Sequence, residues 1–185
     1  MLRPTSIYVP EVLDIIAQVP AVKALINITG DGLLNLPRVA AKVGFELDNL
    51  PSPPPIFQLI QKCGAVDEPE MYGVYNMGVG FCVLAAERDC AAILSILERH
   101  GRTGRMIGRV IADDSKSVHL PAIGLIGQGK RSAAMTYGLV PEIAAGQSPT
   151  DPTYRSGVKT IAAVALSVIP AFSAFACCPP DFGSP

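Results

Sequence analysis

Tryptophan is absent from the 185 residues, and aromatic residues make up only 6% of them. A surface that stacks on single-stranded nucleic acid needs such rings, so that class is disfavoured from the start. No surplus of positive charge exists either. Fifteen Lys and Arg stand against 16 Asp and Glu, for a formal net charge of -1, too little to neutralise a phosphate backbone. Charged residues are sparse, 17% against 49% hydrophobic, which excludes wholesale disorder and permits a packed core. The five cysteines, Cys63, Cys82, Cys90, Cys177 and Cys178, are odd in number and contain no C-x-x-C pair. That excludes a disulfide framework and predicts a reducing, cytosolic compartment. His100 and His119 lack partners at metal-ligand spacing, so no metal site is expected. The first ten residues hold one Arg and no apolar run of the kind that a secretory signal requires.

What is present divides at about residue 131. Up to that point, helical and strand-like patterns alternate. Val12, Leu13, Ile15, Ile16 and Val19 have the spacing of a helix packed on one face. Lys23 to Ile28 reads as a short buried strand that ends in the turn Thr29-Gly30-Asp31-Gly32, with a short Pro-interrupted helix from Leu33 to Ala40. Val43, Phe45 and Leu47 share one face of a strand over Val43 to Asp48. Pro55 suits the first position of a helix carrying Ile56, Phe57, Leu59 and Ile60. Asp67 to Tyr75 is a further helix, Val79 to Ala85 a strand, Glu87 to His100 the clearest helix, and Met106 to Ala112 another strand. This alternation predicts an α+β domain, a mixed β-sheet layered with helices, over residues 1–131.

Residues 132–185 differ in kind. Their only charges are Glu142, Asp151, Arg155, Lys159 and Asp181, and none falls between Thr160 and Pro180. That uncharged run is long enough to raise a membrane span, but it is Ala-rich, holds Ser167 and Ser173 and is broken by Pro170, so insertion is not expected. The segment is expected to be an Ala/Pro-rich tail, poorly structured or translated out of frame, that adds little to the core.

Two blocks carry candidate chemistry. In the first, Asn27-Ile28-Thr29-Gly30-Asp31-Gly32, a strand runs into a glycine-flanked turn before a helix. Gly30 and Gly32 would let a ligand approach the backbone, and helix-start amides could receive a phosphate. Asp31 could orient a magnesium-bound water or a substrate hydroxyl. A purely structural turn with Asp at a favoured position explains the same residues. The Lys of a P-loop is missing. In the second block, Asn76-Met77-Gly78-Val79-Gly80, two glycines open a strand, which fits close backbone approach to a ligand or a simple bulge.

The chain resembles the aminoimidazole ribonucleotide synthases. The likeness runs through Arg3 to Val9, "ALINITGDGLLNLPRV", Pro53 to Gln61, Glu70-Met71-Tyr72, Tyr75 to Gly80 and Ile107 to Val110, in order, over roughly residues 2–131. Many members have His in place of Asn27 and Gly in place of Asp31; the form found here resembles another branch. Asn27 can donate and accept hydrogen bonds but cannot serve as a general base near neutral pH.

The resemblance implies an ATP-dependent cyclo-ligase that closes the imidazole ring of formylglycinamidine ribonucleotide in purine biosynthesis. It places Asn27 and Asp31 as catalytic candidates and Thr29, Gly30, Gly32, Asn76, Gly78 and Gly80 as phosphate or substrate contacts. It implies ATP and Mg2+ as cofactors, held mainly by an N-terminal ATP-binding domain, and a homodimer in the intact enzyme. Met1 falls where the junction between the two halves would be, so the chain reads as the C-terminal half and is expected to be inactive alone. A non-catalytic fragment, or a related ATP-using enzyme of the selenophosphate synthetase or thiamine-phosphate kinase type, remains as the alternative.

Overall fold

The computed structural model describes residues 6–128, 136–139 and 161–167. The chain first forms helix α1 (Val9–Gln18), earlier than the apolar spacing from Val12 predicts, because Pro10 is accepted in a first turn whose N–H groups have no helical partner. Strand β1 (Ala24–Asn27) follows, and then a 3-10 turn over Gly32–Arg38 that takes in Pro37. Strand β2 (Val43–Glu46) leads through the proline-rich bend to α2 (Pro55–Gly64) and α3 (Glu68–Val74). The Asp67 carboxylate caps α3 by accepting the Glu70 N–H at 2.8 Å. Strand β3 (Val79–Ala86), helix α4 (Cys90–Arg99) and strand β4 (Gly104–Ala112) come next. The chain then enters β5 (Ser117–Leu120) and β6 (Leu125–Gln128), followed by β7 (Thr136–Leu139) and β8 (Ile161–Ser167).

The strands form one mixed sheet in the order β1-β3-β8-β4-β2-β5-β6-β7. Of its hydrogen-bonded pairs, β2 with β5 is parallel and the rest are antiparallel. Helices cover both faces. On one, Ile15 and Val19 of the α1 segment meet Ile93, Ile96 and Leu97 of α4 over Val83 and Ala85 of β3. On the other, Leu33, Leu34 and Leu36 of the 3-10 turn and Met71 and Tyr72 of α3 pack on Phe45, Cys82 and Ile107. The α+β class and the layered mixed sheet are as the alternation predicted. The four strands and the helices read from the sequence stand within a few residues of their predicted bounds.

The expected tail is different. Strand β8 sits inside the sheet between β3 and β4, with Ala162 through Leu166 all buried. The expectation that residues from Ser132 onward add little to the core therefore fails for this strand. Ala163 and Ala165 face one core layer, Val164 and Leu166 the other, so a run apolar on every side is what a strand buried on both faces requires. The rest of the expected tail, residues 132–135, 140–160 and 168–185, lies outside the described residues. Among those described, no helix is long and apolar enough to cross a membrane.

Candidate functional site

Strands β1 and β3 pair antiparallel with Asn27 opposite Phe81, and the Ile28 N–H donates to the Gly80 carbonyl at 2.9 Å. This register brings the two glycine-containing blocks side by side. Between them and the start of α1 lies a cavity of about 380 Å³. Its polar groups are Ser6, Tyr8, Asn27, Thr29 and Asn76, set among Val9, Val12 and Phe81, with Gly80 in its wall. Among the described residues, no Asp, Glu, Lys, Arg or His lines it. An apolar hollow with a few convergent amide and hydroxyl groups can orient an uncharged polar ligand by hydrogen bonding.

Asn27 lies at the exposed end of β1 and reaches the cavity from the sheet edge. Asn76 lies opposite, where its Oδ1 accepts the Gly78 N–H at 3.0 Å and holds the turn that starts β3. That contact leaves its amide N–H2 group to a ligand. Thr29 is exposed beside Asn27. Four of the predicted site residues, Asn27, Thr29, Asn76 and Gly80, are thus brought together.

The other four are not in the cavity wall. Asp31 adopts a left-handed backbone, φ 72°, and its carboxylate pairs with the Arg38 guanidinium at 2.6 Å on the surface. Gly32 also has positive φ, 51°, and a Cβ there would come within 2.4 Å of the Tyr75 carbonyl oxygen and 2.6 Å of that of Tyr72. Gly78, φ 94°, is pressed against Pro54, 2.6 Å from where its Cβ would lie. These two glycines are required by the protein's own packing. Gly30 has open space around it. The amides of Gly32 and Leu34, expected to face a phosphate, donate instead to the carbonyls of Thr29 and Asp31.

Three residues escaped the sequence reading. Ser6 and Tyr8 line the cavity from the segment before α1. The Tyr8 ring lies 5.5 Å from that of Phe81, with the Arg102 guanidinium 5.9 Å from its centroid. Burial pushes the Tyr8 phenol pKa up, opposed by a hydrogen bond with Ser6. No local pattern marks these two; only their adjacency to a helix start hinted at a position near the sheet. Asn35 is buried, and its Nδ2 donates to the carbonyls of Gly30 at 2.9 Å and Gly32 at 2.7 Å, pinning the first turn from within. Its position three residues beyond Gly32, as the one polar residue in the run Leu33 to Leu36, was the available signal.

A family profile described as "AIR synthase related protein, C-terminal domain" matches residues 2–121. A phosphoribosylformylglycinamidine cyclo-ligase of Methanothermobacter thermautotrophicus is 45% identical over 122 residues, covering 66% of this chain and 35% of that protein. A protein of the same name from Methanocaldococcus jannaschii is 42% identical over 112 residues, covering 60% of this chain and 32% of the relative. One from Bacillus cytotoxicus is 37% identical over 117 residues, covering 60% and 33%. The chain therefore spans about a third of the length of the curated relatives it matches.

Proposed function

We propose that this chain, which belongs to the family of AIR synthase related proteins as their C-terminal domain, is the C-terminal half of a cyclo-ligase. The whole enzyme converts formylglycinamidine ribonucleotide to aminoimidazole ribonucleotide in the cytoplasm. ATP phosphorylates the formyl oxygen, the substrate's own nitrogen attacks the activated carbon, and phosphate leaves. Catalysis of this kind rests on positioning and on neutralising charge.

The observation that carries the reading is the uncharged polar cavity where the two blocks meet. It suits the amide-like and hydroxyl groups of the ribonucleotide. Asn27, Thr29 and Asn76 hydrogen-bond the substrate and hold its nitrogen toward the reacting carbon. The described lining of the cavity, amides and hydroxyls without carboxylates or cations, suits an uncharged ligand better than a metal ion or a triphosphate. In this reading ATP and Mg2+ belong mainly to an N-terminal half, which also forms most of the homodimer contact. Asp31, tied to Arg38 outside the cavity, shapes the turn. An apolar stripe supports an adjoining half: Ile7, Val9, Leu13 and Ile16 are 49 to 70% exposed beside the cavity.

The test is substrate-dependent ADP release. The chain alone should give none. Adding the N-terminal half of the Methanothermobacter relative should produce turnover, and Asn76→Ala should lower it roughly tenfold, the equivalent of one lost hydrogen bond. Robust turnover by the chain alone would overturn the half-enzyme reading.

A further inference from the structure

Strands β3 and β4 are each antiparallel to β8, so they run parallel to one another, one strand's width apart, joined by α4. This is a split βαβ unit. Strand β1 is antiparallel to β3 and hence parallel to β8. Helix α1, which leads into β1, lies on the same face as α4. A strand in the slot between β3 and β4, followed by α1 and β1, would be a second split unit. It would reverse both strand direction and lateral step relative to the first, and so keep the same handedness on the same face. Connections between parallel strands of one sheet are right-handed in roughly 98% of cases, so two such units on one face are expected to share a hand.

The polarity of β8 fits that position. Its Leu166 lies opposite Phe81 of β3 and Gly104 of β4. The start of α1 is at this same end: Tyr8 packs on Phe81, the Arg102 guanidinium donates to the Ile7 carbonyl at 2.7 Å, and it pairs with the buried Glu11 at 2.7 Å. A strand running through the slot in the direction of β8 ends where the chain turns up into α1.

We infer that the slot between β3 and β4 is a strand-acceptor site for an extended apolar strand supplied by the N-terminal half, and that β8 holds this place as a stand-in. This rests on the proposed pairing with that half. The slot sets the chemistry of its occupant. Both faces are buried, with small residues required toward the layer of the 3-10 turn, where Ala163 and Ala165 lie, and larger ones accepted toward α1 and α4 beside Val164 and Leu166. A charge there would be buried without a partner. Strand β8 and the incoming strand use the same ladder groups of β3 and β4, so they exclude each other.

Cys82 is a built-in reporter. It is fully buried on β3 directly opposite Ala165, and paired residues of an antiparallel ladder lie within disulfide reach. Burial pushes its thiol up to about 12, so the bond is best formed during folding. The full chain carrying Ala165→Cys, folded in a glutathione redox buffer, should form an intramolecular disulfide between Cys82 and the introduced thiol in most molecules, read by peptide mass mapping. The same chain fused behind the N-terminal portion of the Methanothermobacter relative should form at least tenfold less of it. In the unsubstituted proteins, amide exchange over 161–167 should be slow in the chain and fast in the fusion. An undiminished disulfide and slow exchange in the fusion would overturn the inference. So would a disulfide found only between two chains, which would put a second copy's strand in the slot. ADP release by the fusion separates the two proposals. An active fusion that keeps the disulfide sinks only the acceptor site. An inactive fusion that loses it sinks only the cyclo-ligase reading.

Discussion

The turn before the 3-10 segment and the turn before β3 look alike in sequence, each pairing an asparagine with two glycines. In the structure they divide the labour in the same way. Gly32 and Gly78, both at positive φ, are packed against carbonyls and a proline ring of the protein itself. Asn27, Thr29 and Asn76 are the groups left facing the cavity. The glycines make the geometry and the polar side chains make the chemistry. The two turns differ in what enforces them. The first is pinned by the buried Asn35, the second by its own Asn76 side chain.

The largest effect should come from Gly32→Val. A branched side chain there meets two backbone carbonyls that cannot move independently, at a φ that branched residues avoid. A loss of about 4 kcal/mol in urea unfolding is expected, against less than about 0.5 kcal/mol for Gly30→Ala, which has open space. Equal effects at the two positions would break the distinction between packing glycine and surface glycine.

Asn35→Ala should cost about 2 kcal/mol, because it removes the buried amide that donates to both the Gly30 and Gly32 carbonyls. Asn76→Ala should cost less, about 1 kcal/mol, since the turn it caps is also held by the Val79 N–H donating to the Asn76 carbonyl. Chemical denaturation of the two variants measures the difference directly, and a reversed order would show that the second turn depends on its side chain more than the first.

A third turn, between β4 and β5, sharpens the comparison because no glycine supports it. Lys116 takes the positive φ, 56°, and the Asp113 carboxylate ties the loop. Burial raises the Asp113 pKa, but hydrogen bonds from the side chains and backbone amides of Ser115 and Ser117 outweigh it and hold the group below the usual carboxylate range. A depressed folded-state pKa adds stability above the unfolded value of 3.8, and this is lost as the pH falls below it. Thermal melts from pH 6 down to pH 2 should therefore show an acid-sensitive component that is smaller in Asp113→Asn.

The smallest effect belongs to the surface pair. Arg38→Ala removes an exposed ion pair with Asp31 and should change stability by less than about 1 kcal/mol, with the difference shrinking further in high salt.

Much of the fold was legible because it depends on local periodicity. Of Cys90, Ile93, Leu94 and Leu97, whose spacing marks one face of α4, all but the partly buried Leu94 are buried, together with Ile96, and Phe45 and Leu47 face inward from the β2 segment. Strands β5 and β6 were passed over, since a short strand ended by Pro121 and Gly124 carries too few alternations to register. Strand β8 was missed for the opposite reason: buried on both faces, it shows no alternation, and its alanines read as filler. The site was half legible. Asn27 and Asn76 could be singled out, while Ser6 and Tyr8 could not, because their role comes from lying over a sheet edge that forms far along the chain.

By itself, the sequence determined the class of fold, the positions of the main helices and strands, and the two turns where backbone would be constrained. Those features follow from side-chain spacing and from the limits on φ, which act within a few residues. Tertiary structure alone decided which polar groups converge and which strand fills the centre of the sheet. Both depend on register and strand order, set by pairing between segments whose separation along the chain leaves no local trace.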